Sequence, residues 1–218
     1  MTDTHFHKEG CGACLSVKGR EIMFWGIHPW QAAECGDEEI ATVKTRLAED
    51  PSAGVGEIGL DRLRTRTVTD VQKTVFSKQL AIAAELGRPV TLHGARCWGE
   101  VVAACQTQAA SIPAFLFHGF SRSPGLLPDI IAMNGFLSVG PTLLNDHAAN
   151  YRKLAESIPT DRLLVETDTE DSPERLPLLR QVVGKLAEIR GISVDELENL
   201  TDSNAERFLG NPIAGCVL

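Results

Sequence analysis

An α/β fold closing as a (β/α)8 barrel of TIM type is predicted by three features of the chain. Short apolar runs alternate with amphipathic stretches from end to end, there are eight such runs, and histidines or carboxylates stand where the runs finish. Alternation of this kind implies a parallel sheet covered by helices, and eight strands close one into a ring. The first strands are joined too tightly for crossover helices, so the barrel is expected to be trimmed in its first β/α units. At 218 residues the chain lies near the short limit of roughly 200 for this fold. A doubly wound open sheet is the alternative.

The first run is Asp3-Thr4-His5-Phe6-His7. In an extended strand side chains alternate faces, so Asp3, His5 and His7 point one way and Thr4 and Phe6 the other. Ala13 to Val17 and Ile22 to His28 follow as strands separated by a turn at Gly19. Asp37 to Asp50 is an amphipathic helix with Ile40, Val43, Leu47 and Ala48 on its apolar face, an acidic first turn, and Pro51 to stop it. Ala53 to Leu60 is a Gly-rich buried strand whose end presents Glu57 to a cavity.

The longest helix runs from Val68 through Leu86, with Val68, Val71, Val75, Leu80, Ala83 and Leu86 at helical spacing and Gly87 and Pro89 as its stop. Strands at Val90 to His93, Ala114 to His118, Phe136 to Val139 and Leu163 to Glu166 alternate with helices at Trp98 to Gln108, Ser123 to Gly135 and around Asn145 to Ile158. The tail is helical, opened by a capping box at Ser193 and Glu196.

Hydrophobic content of 43% with 23% charged residues is that of a soluble globular protein, and residues 1–218 are expected to form one domain. No apolar run approaches the roughly 18 to 20 residues of a membrane span and no basic-then-apolar leader is visible, so no membrane association and a cytoplasmic location are expected. A net charge of -8 argues against a general electrostatic grip on nucleic acid, although Arg62, Arg64 and Arg66 alternate along one segment. The preferred reading of those arginines is a solvated loop. Of six cysteines only Cys11 and Cys14 form a C-x-x-C; reduced thiols in a turn of small residues are expected there, rather than zinc or redox chemistry.

The residues that carry chemistry are His5, His7, His28, Glu57, His93, His118 and Asp168, at or just past strand ends. In a parallel barrel those ends open on one face, so residues far apart in sequence converge there. Imidazoles with carboxylates suit zinc, manganese, iron or nickel better than magnesium or calcium alone, and one glutamate shared between two ions makes a binuclear centre. His147 stands in a polar helical segment and is expected at the surface.

The motifs Asp3-Thr4-His5-Phe6-His7, Gly26-Ile27-His28-Pro29-Trp30, Gly56-Glu57-Ile58-Gly59-Leu60-Asp61, Leu92-His93, His118-Gly119-Phe120-Ser121 and Glu166-Thr167-Asp168 resemble, in order, those of the TatD-type metal-dependent hydrolases. The resemblance implies a barrel of the metallo-dependent hydrolase superfamily with deoxyribonuclease-type phosphodiesterase activity. It implies two divalent ions (zinc, manganese or magnesium), with His5, His7 and Asp168 on one, His93 and His118 on the second, and Glu57 bridging them. The chain departs from the family pattern at Gly119, at Arg122 and at Thr169-Glu170-Asp171, and two length changes, a short segment before Gly26 and a curtailed loop after Asp168, are expected to remodel the rim.

Within that scheme Asp168 is the candidate to orient or deprotonate the attacking water, and Glu166 to fix a histidine tautomer from behind. His28 and Asp61 stand behind the ligands or at the leaving group. Arg96 and Arg122 follow ligand histidines closely and are candidates to reach a scissile phosphate. The substrate is expected to be DNA or a small phosphodiester. An amidohydrolase or lactonase acting on a small molecule, and a non-catalytic barrel, are the competing readings.

Overall fold

The computed structural model describes residues 1–9, 12–64, 66–121 and 124–210. Its strands are Asp3–Phe6, Ala13–Val17, Arg20–Trp25, Gly54–Asp61, Val90–Ala95, Phe115–Phe117, Gly135–Val139 and Leu163–Val165, here β1 to β8, forming one sheet in that order. The helices Asp37–Glu49, Asp70–Leu86, Trp98–Gln106, Leu127–Ala132, Ala149–Ser157, Arg175–Arg190 and Val194–Phe208 are α1 to α7. From β3 to β8 every pairing is parallel, and the trimming expected in the first β/α units takes the form of a β2 that runs antiparallel to both β1 and β3. The cause is the two-residue turn Lys18-Gly19, both at positive φ (50° and 79°), the backbone that joins antiparallel neighbours most tightly.

The ring is drawn together between β1 and the segment after β8. The Thr4 hydroxyl donates to the Val165 carbonyl at 2.8 Å, the Asp168 N–H to the His5 carbonyl at 2.9 Å, and the His7 N–H to the Thr169 carbonyl at 2.8 Å. Asp3 seals this seam: its carboxylate accepts from the Thr167 N–H (3.0 Å) and hydroxyl (2.8 Å) and pairs with Arg175 at 3.1 Å. Asp3, two residues before His5, thus serves closure rather than the centre.

Strand alternation divides the core in two. Leu15, Val17, Ile22, Phe24, Leu116, Phe136 and Leu164 form an inner cluster, while their neighbours Phe115, Phe117, Leu137 and Val165 pack outward against the helices. The last turn of α7 closes this inner cluster. Phe208, fully buried, stacks on Phe24 at 6.0 Å and meets Phe136 edge-on at 5.9 Å. Phe24 is paired with Gly54, the first residue of β4, so the plug lies at the end of the barrel away from the strand C-termini.

Helix α2 illustrates where apolar periodicity misleads. Thr69 caps it by accepting the Gln72 N–H, and left-handed Gly87 ends it. Val71, counted above on the buried face, is 48% exposed, while Gln72 and Gln79 are buried. The Gln72 carbonyl takes the Asp61 N–H at 3.3 Å, and Gln79 spans both backbone groups of Ile27 at 2.7 and 3.1 Å. The inner face of α2 is therefore partly polar, because it must satisfy the backbone of β4's end and of the loop carrying His28.

Helices α4 (Leu127–Ala132) and α5 (Ala149–Ser157) are shorter than the sequence suggests, each preceded by a 3-10 turn. Ser193 caps α7 by accepting the Glu196 N–H at 3.1 Å, which is the N-cap half of the capping box expected there. His147 is exposed, and no described helix is long and apolar enough to cross a membrane.

Candidate metal centre

The strand C-termini open on one cavity of about 660 Å³ whose wall includes His7, His28, Glu57, His93, His118 and Asp168. Glu57 occupies its middle. It lies within β4, not at the strand's end: between the pairs Val55↔Val90 and Ile58↔Leu92 the strand spends one extra residue, a bulge that re-aims the side chain there. Gly59, at φ 148°, lets β4 pass so close to β5 that a Cβ would fall 2.0 Å from the His93 carbonyl oxygen.

The distances show one carboxylate facing four imidazoles. Glu57 Oε1 is 2.7 Å from both His93 Nδ1 and His118 Nε2 and 3.5 Å from His28 Nε2, while Oε2 is 3.3 Å from His5 Nε2. Asp168 Oδ1 completes the other side, 3.4 Å from His7 Nε2 and 3.6 Å from His5 Nε2. Asp168 sits in the left-handed region at φ 49°, a conformation held by the seam with β1. The rings themselves are crowded, His5 stacking on His118 at 3.9 Å between centroids.

A second layer fixes these ligand-type groups. Asp61 is 3.1 Å from His93 Nε2 and accepts from the Trp30 indole N–H at 2.6 Å and the Arg64 backbone N–H at 2.8 Å. Glu166 Oε1 accepts the Gly119 N–H at 2.8 Å and lies 3.8 Å from His118 Nδ1, with the Ser138 hydroxyl donating to its other oxygen. Glu166 thereby holds the turn after His118, although it is too distant to bond the ring directly.

Electrostatics in this enclosure are strongly coupled. Burial pushes the Glu57 carboxyl up, but the His118 and His5 imidazoles facing it and the hydrogen bonds from His118 and His28 outweigh this, holding it well below the usual range. Burial pushes His118 down, yet the Glu57 and Glu166 carboxylates hold it well above the ordinary histidine value. Asp168 is also held low: its burial is outweighed by His7, His118 and His5. His28 is lowered by burial, which its contact with Glu57 does not offset.

The residues fit a metal. His5 is completely buried, and neither of its ring nitrogens has a hydrogen-bond partner. An imidazole left so costs free energy that a cation at its lone pair would recover. Three sets of donor atoms gather within 4.8 Å: His5, His7 and Glu57; His5, His118 and Asp168; and His28, Glu57 and His93.

Several expectations fall elsewhere. Arg96, also in the left-handed region (φ 59°), is exposed and is not part of the cavity wall. Arg122 and Cys11 lie outside the described residues. Cys14 is buried with its thiol 3.5 Å from the Met23 sulfur. Sequence reasoning assigned no role to Trp30 and preferred a solvated loop for Arg64, yet both line the cavity, with the Arg64 guanidinium 4.7 Å over the Trp30 ring. The available signal was their position, directly after Gly26-Ile27-His28-Pro29 and three residues after Asp61.

A barrel with imidazoles and carboxylates gathered at its strand C-termini defines the class of metal-dependent barrel hydrolases. Within that class the chain matches the TatD related DNase family over residues 5–210 and belongs to it. It is a metal-dependent hydrolase of TatD type, an enzyme of the nuclease class.

Its relatives include YabD of Bacillus subtilis, an uncharacterized metal-dependent hydrolase, at 28% identity over 84% of this chain and 75% of that protein. The 3'-5' ssDNA/RNA exonuclease TatD of Erwinia amylovora is 34% identical over 85% of this chain and 76% of its own. The crystal structure of YJJV, a TatD homolog from Escherichia coli K12, superimposes with a TM-score of 0.75 at 24% identity, covering 87% of this chain and 76% of the other.

Proposed function

We propose that residues 1–218 act as one unit, a phosphodiesterase that holds two divalent cations and cleaves single-stranded DNA or a similar phosphodiester from an end. His5, His7 and Asp168 would hold one cation and His93 and His118 the other, with Glu57 as the carboxylate available to both. The observation that carries this reading is the placement of the two Glu57 oxygens, one 2.7 Å from His93 and His118 and the other 3.3 Å from His5. A single carboxylate divided between two sets of imidazoles is what a shared ligand requires. The mixed nitrogen and oxygen donors favour zinc or manganese over magnesium.

Bound there, the cations supply Lewis acidity that makes water nucleophilic near neutral pH and neutralises charge on phosphoryl oxygens. The chain's own groups do the rest. Asp168, kept ionised by His7 and His5, accepts the proton of the attacking water. Asp61 orients His93 through its Nε2, and Glu166 anchors the turn that presents His118. His28, lowered and therefore neutral, stands 3.5 Å from Glu57 on the leaving-group side. The reduced thiols of Cys35, Cys97 and Cys105 are consistent with a reducing compartment, the cytoplasm.

The test is to load the purified protein with zinc or manganese, count bound equivalents, and incubate it with single-stranded DNA and with a panel of amides and lactones. About two equivalents and DNA cleavage that both chelation and Glu57→Ala abolish support the reading. Hydrolysis confined to amides or lactones transfers the site to the small-molecule class.

A further inference from the structure

The cavity mouth holds a feature that hydrolysis of a bare ester does not need. Trp30 is 51% exposed although its indole N–H is committed to Asp61 at 2.6 Å and its backbone N–H to His28 Nδ1 at 3.3 Å. The ring is therefore fixed along one edge and open across much of its surface. Arg64 is exposed, with its guanidinium over the ring 4.7 Å from the centroid, and His28 meets the ring edge-on at 4.5 Å, so the stacking surface is the part that these two leave open. Among the described wall residues Arg64 is the one lysine or arginine, against the carboxylates Glu34, Glu57, Asp168 and Glu170. In a chain of net charge -8, Arg64 is the permanent cation that the described wall offers to an anionic substrate entering this mouth.

Both residues are in register with the centre through one carboxylate. Asp61 accepts from the Trp30 indole with one oxygen, which is also 3.1 Å from His93 Nε2, and from the Arg64 backbone with the other. A π-surface and a guanidinium held at fixed offset from the reacting phosphate match the two parts of a nucleotide. Nucleobases stack on aromatic rings and guanidinium planes, and phosphates pair with arginine. We propose that Trp30 and Arg64 form a nucleotide subsite, Trp30 stacking the base next to the scissile bond and Arg64 pairing with the flanking phosphate. This rests on the phosphodiesterase reading above and adds how a strand of nucleic acid is distinguished from a small ester.

The experiment compares two metal-loaded oligodeoxynucleotide reactions, one with an ordinary strand and one with an identical strand whose two terminal residues at the cleaved end are abasic. For the unaltered protein KM rises about tenfold or more on the abasic strand. Trp30→Leu brings the two strands within about twofold of each other, whereas Trp30→Phe, which keeps an aromatic face of smaller area and gives up the N–H bond to Asp61, retains most of the discrimination. Arg64→Met raises KM for both strands together and flattens the log–log salt dependence by about 0.7, one phosphate's share on a single strand. Metal content and melting temperature of each variant are measured alongside, and because discrimination is a ratio within one variant, a lowered kcat does not obscure it.

Equal KM values for the two strands in the unaltered protein, or discrimination that survives in Trp30→Leu, overturns the subsite. Failure of the unaltered protein to cleave either strand overturns the phosphodiesterase reading, and the subsite with it.

Discussion

The two parts of this barrel are built differently, and both contribute to its centre. From β3 onward each strand is parallel to the next and helices fill the outside, whereas β1 and β2 are joined to β3 through an antiparallel arrangement with no helix between them. Yet β1 and its extension supply His5 and His7, while the regular part supplies Glu57, His93 and His118. What the difference teaches is that a catalytic strand end needs a fixed neighbour more than a covering helix. For β1 that neighbour is the end of β8, which bonds Thr4, and the segment after it, which bonds Asp3, His5 and His7.

The comparison breaks most visibly at the ligand-type residues. If the trimmed part holds its imidazole as firmly as the regular part, His5→Ala and His118→Ala lower kcat/KM for single-stranded DNA alike. Several kcal/mol of charge stabilisation at about 1.4 kcal/mol per factor of ten makes the loss on the order of 10³-fold. A His5→Ala enzyme that keeps full metal content and most of its activity would show the β1 histidines to be bystanders.

Stability separates the seam from the plug. Asp3→Ala leaves Arg175 buried with one carboxylate fewer and unties Thr167, for a cost of about 3 to 5 kcal/mol. Phe208→Ala empties the inner cluster, for about 3 to 5 kcal/mol as well. Thermal melts of the metal-free proteins should show comparable losses. Only Asp3→Ala should also weaken metal binding, because the seam positions Asp168 and the plug sits at the other end.

Protonation sharpens the same contrast. His118 is raised, so its pairing with Glu57 stabilises the metal-free fold fully below 6.5 and is lost as pH rises through its folded value. Glu57 is lowered, so its contribution is present above 4.5 and disappears as pH falls through its own folded value. A cation must displace the proton shared by this pair. The thermal shift produced by zinc or manganese is therefore expected to grow as pH rises above 6.5, with proton release seen calorimetrically in buffers of different ionisation enthalpy. A shift that is flat with pH would mean that the ion binds without His118.

Much of this arrangement is legible in the residue order, for definite reasons. The strands from β4 onward show as apolar runs because they are buried on both faces, and their ligand-type residues stand within or just past them. The direction of β2 is not legible from hydrophobicity, since an apolar strand looks the same either way and only the two positive φ values at Lys18-Gly19 decide it. The bulge at Glu57 leaves no periodic trace. Gln72 and Gln79 look like surface residues and are buried because backbone groups of Asp61 and Ile27 require them. Trp30 escapes for the opposite reason: an exposed aromatic in a loop belongs to no pattern.

The smallest expected effect concerns the arginines. Spacing from His93 makes Arg96 as good a phosphate ligand as Arg64, but spacing does not include direction. At φ 59° the chain turns out of β5 immediately after Ala95, and Arg96 is left exposed beyond the wall that Arg64 lines. Its field at the reacting phosphate is screened by water, in the range where an exposed charge contributes about 0 to 1 kcal/mol. Arg96→Ala should therefore change KM for single-stranded DNA by about twofold or less, read from initial rates at low salt where any effect is greatest. A larger rise in KM, equal to that of Arg64→Met, would show that the strand leaves the cavity across β5 and that the rim recognises more than one flanking phosphate.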